Sequence, residues 1–291
     1  MNYIFLLAVT IIYTANPEFN YNIKAISMRL KLRKYRYVLL TLLIIALLSF
    51  GCTEKKPENK LNPPDNTDVY KQVEPVSLQS KLDSIKNTFE NKASEEKKQA
   101  YQQGVDEVGE SGAMKNALRE GDDAYMFELP NADGSTVKMA ELLNEGPVVL
   151  IWYRGGWCPY CNVQLKEMQS YLPQIKELGA NLVAISPEVP DSSLSTKEKG
   201  ELDYYVLSDK GNDVARKFGI VYTLPKVVQE QFEGRIDVDG YNADNKKELP
   251  LAVTYIVNKD GKITYAFIDK DYKKRAEPET IINELKKLRN W

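Results

Sequence analysis

The chain has 291 residues, 39 Lys and Arg against 41 Asp and Glu, and a formal net charge of -2; so even a balance gives no reason to expect nucleic acid as a partner. Histidine is absent and cysteine occurs three times, which excludes Ser-His-Asp and Cys-His hydrolases and any His-ligated zinc or haem, and leaves a structural zinc site short of ligands. No metal and no cofactor is therefore expected, in a chain whose length fits one large domain or two small ones.

Residues 1–52 read as an export segment. Arg29, Lys31, Arg33, Lys34 and Arg36 precede the apolar run VLLTLLIIALLSF, which is followed by Gly51 and Cys52. A basic stretch before an apolar run shorter than the ~20 residues of a membrane span has the form of a secretory signal. With the cysteine placed directly after it, the segment resembles a bacterial lipoprotein signal. That resemblance implies lipidation of Cys52 and a chain exported to a bacterial membrane, facing the periplasm; an uncleaved anchor is the alternative. Met28 opens a complete signal, so residues 1–27 read as an over-extended start. Residues 53–76, rich in Pro, Asn and charge, read as a solvated tether.

Residues 77–120 form a helical lead-in, with Leu78, Leu82, Ile85 and Phe89 at three- and four-residue steps. It is expected to pack on the flank of the domain without a binding role. The domain proper, 121–291, begins with a hairpin around Asn131–Gly134, a short helix near Met139–Leu143 and a strand at Val148–Tyr153 whose unbroken aliphatics suit a position buried on both faces. A helix follows from about Pro159 to Leu178, where Pro173 predicts a kink. Strands ANLVAIS and YYVLSD come next, then a helix NDVARKFG stopped by Gly219, then a long connection with a short helix near Lys226–Phe232. The hairpin AVTYIVNKDGKITYAFI turns at Asp260-Gly261, and EPETIINELKKL closes the chain as an amphipathic helix. This order describes an α/β domain with helices on both sides of a mixed sheet.

Cys158 and Cys161 fall where the central strand ends and the long helix begins, the expected place for a site in such a sheet. Free N–H groups and the dipole at the helix start favour a thiolate over a thiol. Three other readings compete: buried structural thiols, half of a zinc site, and a structural disulfide. The last would close a loop so short that it removes little unfolded-state entropy, and a redox pair is the favoured reading.

The stretch GPVVLIWYRGGWCPYC, with LKEMQSYLPQIKELGANLVAISPE, YYVLSDKGNDVARKFGI, ELPLAVTYIVNKDGKI and DYKKRAEP, resembles the peroxiredoxin superfamily, the alkyl hydroperoxide reductase/thiol-specific antioxidant group, in its branch with a CxxC. The resemblance runs from about Leu78 to Leu288. It implies a thioredoxin-like, peroxiredoxin-type α/β fold, a central mixed β-sheet flanked by helices, here with an N-terminal helical extension. It also implies Tyr153 at the family's aromatic position and Cys161 at its peroxidatic cysteine, with Arg154, Gly155, Gly156, Trp157 and Thr254 as substrate-binding or supporting positions. Three departures stand out: Cys158 occupies the place of the family's active-site Thr, Arg154 that of its Pro, and Ala252 that of its Arg.

The activity so implied is reduction of a hydroperoxide by Cys161, resolution by Cys158, and recycling by thioredoxin or a similar dithiol. Thiol–disulfide exchange with Cys158 as nucleophile is the alternative, and an inert thioredoxin-fold lipoprotein a third reading.

Overall fold

The computed structural model describes residues 76–289; the export segment, Cys52 and all but the last residue of the tether lie outside them. The lead-in is two helices and a turn. Helix α1 (Leu78–Lys92) ends at Ala93 in an extended conformation, and α2 (Glu95–Glu110) and α3 (Ala113–Asn116) follow. Serine makes both long starts: Ser77 Oγ accepts from the N–H of Ser80, and Ser94 Oγ from that of Lys97. The second of these caps is why the polar stretch after Phe89 starts a new helix.

The hairpin pairs β1 (Glu128–Pro130) with β2 (Thr136–Lys138) and leads into α4 (Met139–Glu145) and β3 (Val148–Trp152). Helix α5 (Pro159–Glu177) continues through Pro173. Strand β4 (Asn181–Ser186) is followed by α6 (Pro190–Gly200) in the Ser-rich segment, a helix that periodicity did not indicate. Pro190 opens it at a position where its missing N–H costs nothing. Then come β5 (Tyr205–Ser208), α7 (Asp213–Lys217), β6 (Val221–Thr223), α8 (Lys226–Phe232), α9 (Val238–Asn242), β7 (Glu248–Pro250), β8 (Thr254–Val257), β9 (Ile263–Phe267) and α10 (Pro278–Arg289). Helix α7 ends before Gly219, whose φ of 71° stops it as expected. The long connection holds α8 where the sequence placed it; α9 and the small β6–β7 sheet were not foreseen.

The main sheet has the order β5-β4-β3-β8-β9. Strands β3, β4 and β5 are parallel, while β8 runs antiparallel to both β3 and β9. Strand β3 lies at the centre, and the period-2 alternation of its side chains feeds two cores. Val148, Leu150 and Trp152 join Phe218, Ile220 and Tyr255 on one face. Val149 and Ile151 join Leu165, Met168 and Ile175 of α5, Ile281 and Leu285 of α10, and Leu78 and Leu82 of α1 on the other. This is the thioredoxin-like α/β architecture, a mixed sheet covered on both faces, and the N-terminal extension is built into its core.

Candidate active site

Residues 153–158 join the end of β3 to the start of α5. Two glycines let the chain turn there. Gly155 has a φ of 147°, and a Cβ on it would stand 2.3 Å from Trp157 Nε1. Gly156 donates its N–H to Glu188 Oε1 at 2.9 Å, and a Cβ there would meet Thr196 Oγ1 at 2.1 Å. The N–H of Cys158 donates back to the Gly155 carbonyl at 3.1 Å, and Asn162 Nδ2 of α5 donates to the Gly156 carbonyl at 2.8 Å. The loop is thus folded onto the helix it precedes.

Both glycines shape this turn, the supporting one of the two roles expected for them, and neither lines the groove beside Cys158. Thr254 stands apart from the groove: it is buried in β8 opposite Ile151, and its Oγ1 has no hydrogen-bond partner.

Glu188, in the turn after β4, is the buried anchor of the loop. Besides Gly156, its carboxylate accepts from the hydroxyls of Tyr153 at 3.2 Å and of Ser186 and Thr196 at 3.4 Å. Burial pushes its carboxyl above the usual range, opposed by these donors.

Cys158 is the residue before the first turn of α5, and Cys161 lies within that turn. Both are free thiols and both are buried. They differ in what they face. A groove of about 890 Å³ is lined by Arg154, Trp157 and Cys158, but not by Cys161. Arg154 Nη1 stands 3.9 Å from Cys158 Sγ, and its guanidinium lies over the rings of Tyr272, 4.2 Å away, and Trp157, 4.9 Å away.

Behind them Arg275, also buried, donates from Nη2 to Cys161 Sγ at 3.5 Å and from Nε to Gln164 Oε1 at 2.7 Å. Its Nη1 donates to the carbonyls of Tyr272 and Lys274. Among the described residues neither guanidinium meets a carboxylate.

These neighbours separate the two thiols electrostatically. Burial works against ionising Cys158, but the adjacent Cys161 thiol and the charges of Arg154 and Arg275 outweigh it and bring the group down to about 5. For Cys161 burial wins: it is pushed well above the usual thiol range, and the neighbouring Cys158 charge adds to that. One proton thus leaves the pair early, and it leaves from the sulfur that lines the groove.

Of the positions expected from sequence, Cys158, Cys161, Arg154 and Trp157 come together here. Arg275, Gln164 and Glu188 were missed. The only signal for Arg275 was an arginine within DYKKRAEP, more than a hundred residues from the cysteines.

One wall of the groove is made by α1 and α2, with Phe89 and Tyr101, and the other by Trp157, Tyr272 and Phe232 of α8. The lead-in packs against the domain and also walls the groove, a place the sequence did not indicate. The physical reason is a close approach: a Cβ on Gly104 of α2 would meet Val228 Cγ2 of α8 at 2.2 Å, so only glycine lets the two helices pack there.

Residues 121–266 match the AhpC/TSA family. The chain belongs to that family. Peroxiredoxin Bcp of Escherichia coli is 27% identical over 172 residues, which cover 59% of this chain and 97% of that protein. A putative peroxiredoxin of Mycobacterium tuberculosis is 31% identical over 103 residues, 35% of this chain and 67% of that protein. The crystal structure of peroxidoxin BcpB from Mycobacterium tuberculosis superposes with a TM-score of 0.47 at 23% identity, covering 59% of this chain and 98% of that one. The AhpC/TSA match contains both cysteines, Arg154 and Glu188. It begins after α3 and ends before Arg275, so one wall of the groove and one of the two buried cations lie outside the matched span.

Proposed function

We propose that the chain is a thiol-dependent peroxidase, an antioxidant oxidoreductase that reduces hydroperoxides through Cys158 and Cys161, with Cys158 as the attacking sulfur. One observation carries the order of the sulfurs: of the two, only Cys158 lines the groove, and two buried guanidinium groups without carboxylate partners among the described residues stand beside the pair. The Cys158 thiolate balances one of these charges. The other is available for charge that develops during the reaction.

The thiolate attacks the terminal oxygen of the hydroperoxide, the O–O bond breaks, and sulfur is oxidised to a sulfenic acid. The alkoxide that leaves develops its charge near the guanidinium groups and takes up a proton to become an alcohol, or water when the substrate is hydrogen peroxide. The Cys161 thiol then condenses with the sulfenic acid, forming the S–S bond and releasing water. A thiol reductant closes the cycle. We assign a thioredoxin-like dithiol, whose two sulfurs are oxidised to a disulfide as Cys158 and Cys161 recover their thiols.

This order reverses the one implied by the family resemblance, in which Cys161 attacks. Support for the reversal is the burial that holds Cys161 protonated and away from the groove.

Stopped-flow mixing of the reduced chain with a hydroperoxide tests the scheme. Cys158→Ser is expected to abolish consumption. Cys161→Ser is expected to allow one turnover and leave a dimedone-reactive sulfenic acid on Cys158. The opposite pattern would restore Cys161 as the attacking residue. Reduction of protein disulfides with no peroxide consumption would replace the peroxidase by an exchange enzyme.

We also read the chain as exported and lipid-anchored through Cys52, on the strength of the basic stretch, the apolar run and the cysteine that follows them. Metabolic labelling with palmitate is expected to mark the wild-type chain and not Cys52→Ala; equal labelling would remove the anchor from the proposal.

A further inference from the structure

Residues 268–277, between β9 and α10, reach the thiol pair from outside the span matched to the family. Local hydrogen bonds fix their course. The N–H of Asp271 donates to Asp269 Oδ1 at 2.8 Å, that of Lys273 to Asp271 Oδ1 at 3.0 Å, and that of Lys274 to the Asp271 carbonyl at 2.9 Å. Aspartates that accept from the backbone two residues on hold a chain in turns of this kind.

The residue these turns present is Tyr272. The Arg154 guanidinium lies 4.2 Å from the centre of its ring, and the ring of Tyr160, between the two cysteines, meets it edge-on at 5.5 Å. Its carbonyl accepts from Nη1 of Arg275, the cation on Cys161. One residue thus contacts both buried cations, one through its ring and one through its main chain.

Arg154 has few other partners. It is 3% exposed, its Nε is unpartnered, and among the described residues its one hydrogen-bonding contact is Cys158 Sγ at 3.9 Å. Of the carboxylates that line the groove, Glu95 pairs with Lys98 at 2.6 Å and Glu90 faces Tyr160; neither pairs with Arg154. Tyr222 of β6 and Tyr101 of α2 face it too. Burial keeps these phenols, and those of Tyr160 and Tyr272, protonated far above neutral pH, so none of them supplies an anion. What remains to hold the cation is the negative face of a ring. Trp157 offers one at 4.9 Å, but it belongs to the same loop as Arg154 and moves with it. Tyr272 is the nearer face, and it is tied to a separate part of the fold.

We propose that Tyr272 is a positioning residue for the reaction: the face of its ring holds the Arg154 guanidinium beside Cys158 Sγ, where the thiolate forms and the leaving oxygen gathers charge. This role rests on the peroxidase reading above and adds a residue which that reading does not assign. It belongs to the ring; the hydroxyl has no part in it.

The first readout is the pH dependence of Cys158 alkylation by iodoacetamide, which involves no peroxide. Tyr272→Leu removes the ring, and its inflection is expected to rise by about one pH unit. Tyr272→Phe restores the ring and is expected to restore the inflection. An inflection that the leucine leaves in place, or that the phenylalanine moves as far, overturns the role. In an Arg154→Gln background the leucine is expected to add nothing, because Tyr272 acts through that arginine. A shift that persists there belongs to packing alone and overturns the role as well. Should the leucine variant fail to fold, phenylalanine with successive ring fluorines at position 272 keeps the shape and withdraws charge from the ring face. An inflection that climbs with each fluorine supports the role, and a flat series overturns it.

The second readout is kcat/KM for hydrogen peroxide at pH 7, expected to fall about tenfold in Tyr272→Leu. An unchanged value overturns the role in the reaction. A wild-type chain that consumes no hydroperoxide, with an inflection that follows the ring as described, would instead overturn the peroxidase and leave Tyr272 as the residue that positions Arg154.

Discussion

At the scale of single residues, the chemistry depends on two arginines held in the interior with no carboxylate partner among the described residues. A buried cation is costly unless something opposes it, and here the nearest anion is a thiolate that the same cation stabilises. The consequence is a pH profile. With Cys158 brought down to about 5, alkylation should climb across about pH 4–6 and be flat by about pH 7, where an ordinary cysteine, near 8.5, is still climbing. The sign follows from the reactive form. The thiolate is the nucleophile, so reactivity is lost as pH falls through the group's own value and is retained above it. Removing the cation disfavours the anion; Arg154→Gln should move the inflection upward by about one to three pH units and lower the reactive fraction at neutral pH. An inflection that stays in place would show that Arg275 and the Cys161 thiol suffice.

Among the elements, α2 and α8 are held together at one glycine. The Cβ position of Gly104 lies 2.2 Å from the Val228 Cγ2 atom, and Val228 is itself buried, so added volume has nowhere to go. Gly104→Val should cost about 2 kcal/mol by overpacking, measured as a lower midpoint in chemical denaturation. The wall of the groove should loosen with it. An unchanged midpoint would mean that α2 can move off α8 without cost. The loop of residues 153–158 obeys the same logic at smaller scale. Gly155 must take a φ that other residues avoid, and Gly156 must present its N–H to Glu188. Both glycines stand in a motif that resembles a binding loop, but their task is conformational.

At the scale of the whole domain, the start of α1 meets the segment that leads into α10. Glu277 accepts from the N–H groups of Leu78 at 2.9 Å and Gln79 at 2.8 Å, at the start of α1. It stands two residues from Arg275, the cation on Cys161, so the start of the groove's outer wall and the rear of the thiol pair share one short segment. A carboxylate at a helix start satisfies free donors and opposes the dipole; Glu277→Ala should cost about 1 kcal/mol. Amide hydrogen exchange is expected to rise in α1 and to stay slow in α5. Exchange in α1 equal to that of the wild-type chain would show that packing of Leu78 and Leu82 alone keeps α1 in place.

Hydrophobic periodicity and turn residues were enough for the hairpins, for the central strand and for both long helices of the domain, because those features are written in neighbouring residues. They were also enough to put Cys158 and Cys161 at a strand-to-helix junction, since Pro159 and the aliphatic run before it are local signals. The break between α1 and α2, the helix in the Ser-rich segment and the small β6–β7 sheet escaped, because a single cap or a three-residue pairing leaves little trace in periodicity. Arg275, Glu188 and the aromatic wall escaped for a deeper reason. A charge acts on a thiol through distance in space, and a groove exists only between elements; folding brings Arg275 to Cys161 and α1 to Trp157 across long stretches of chain, and no spacing along that chain records it.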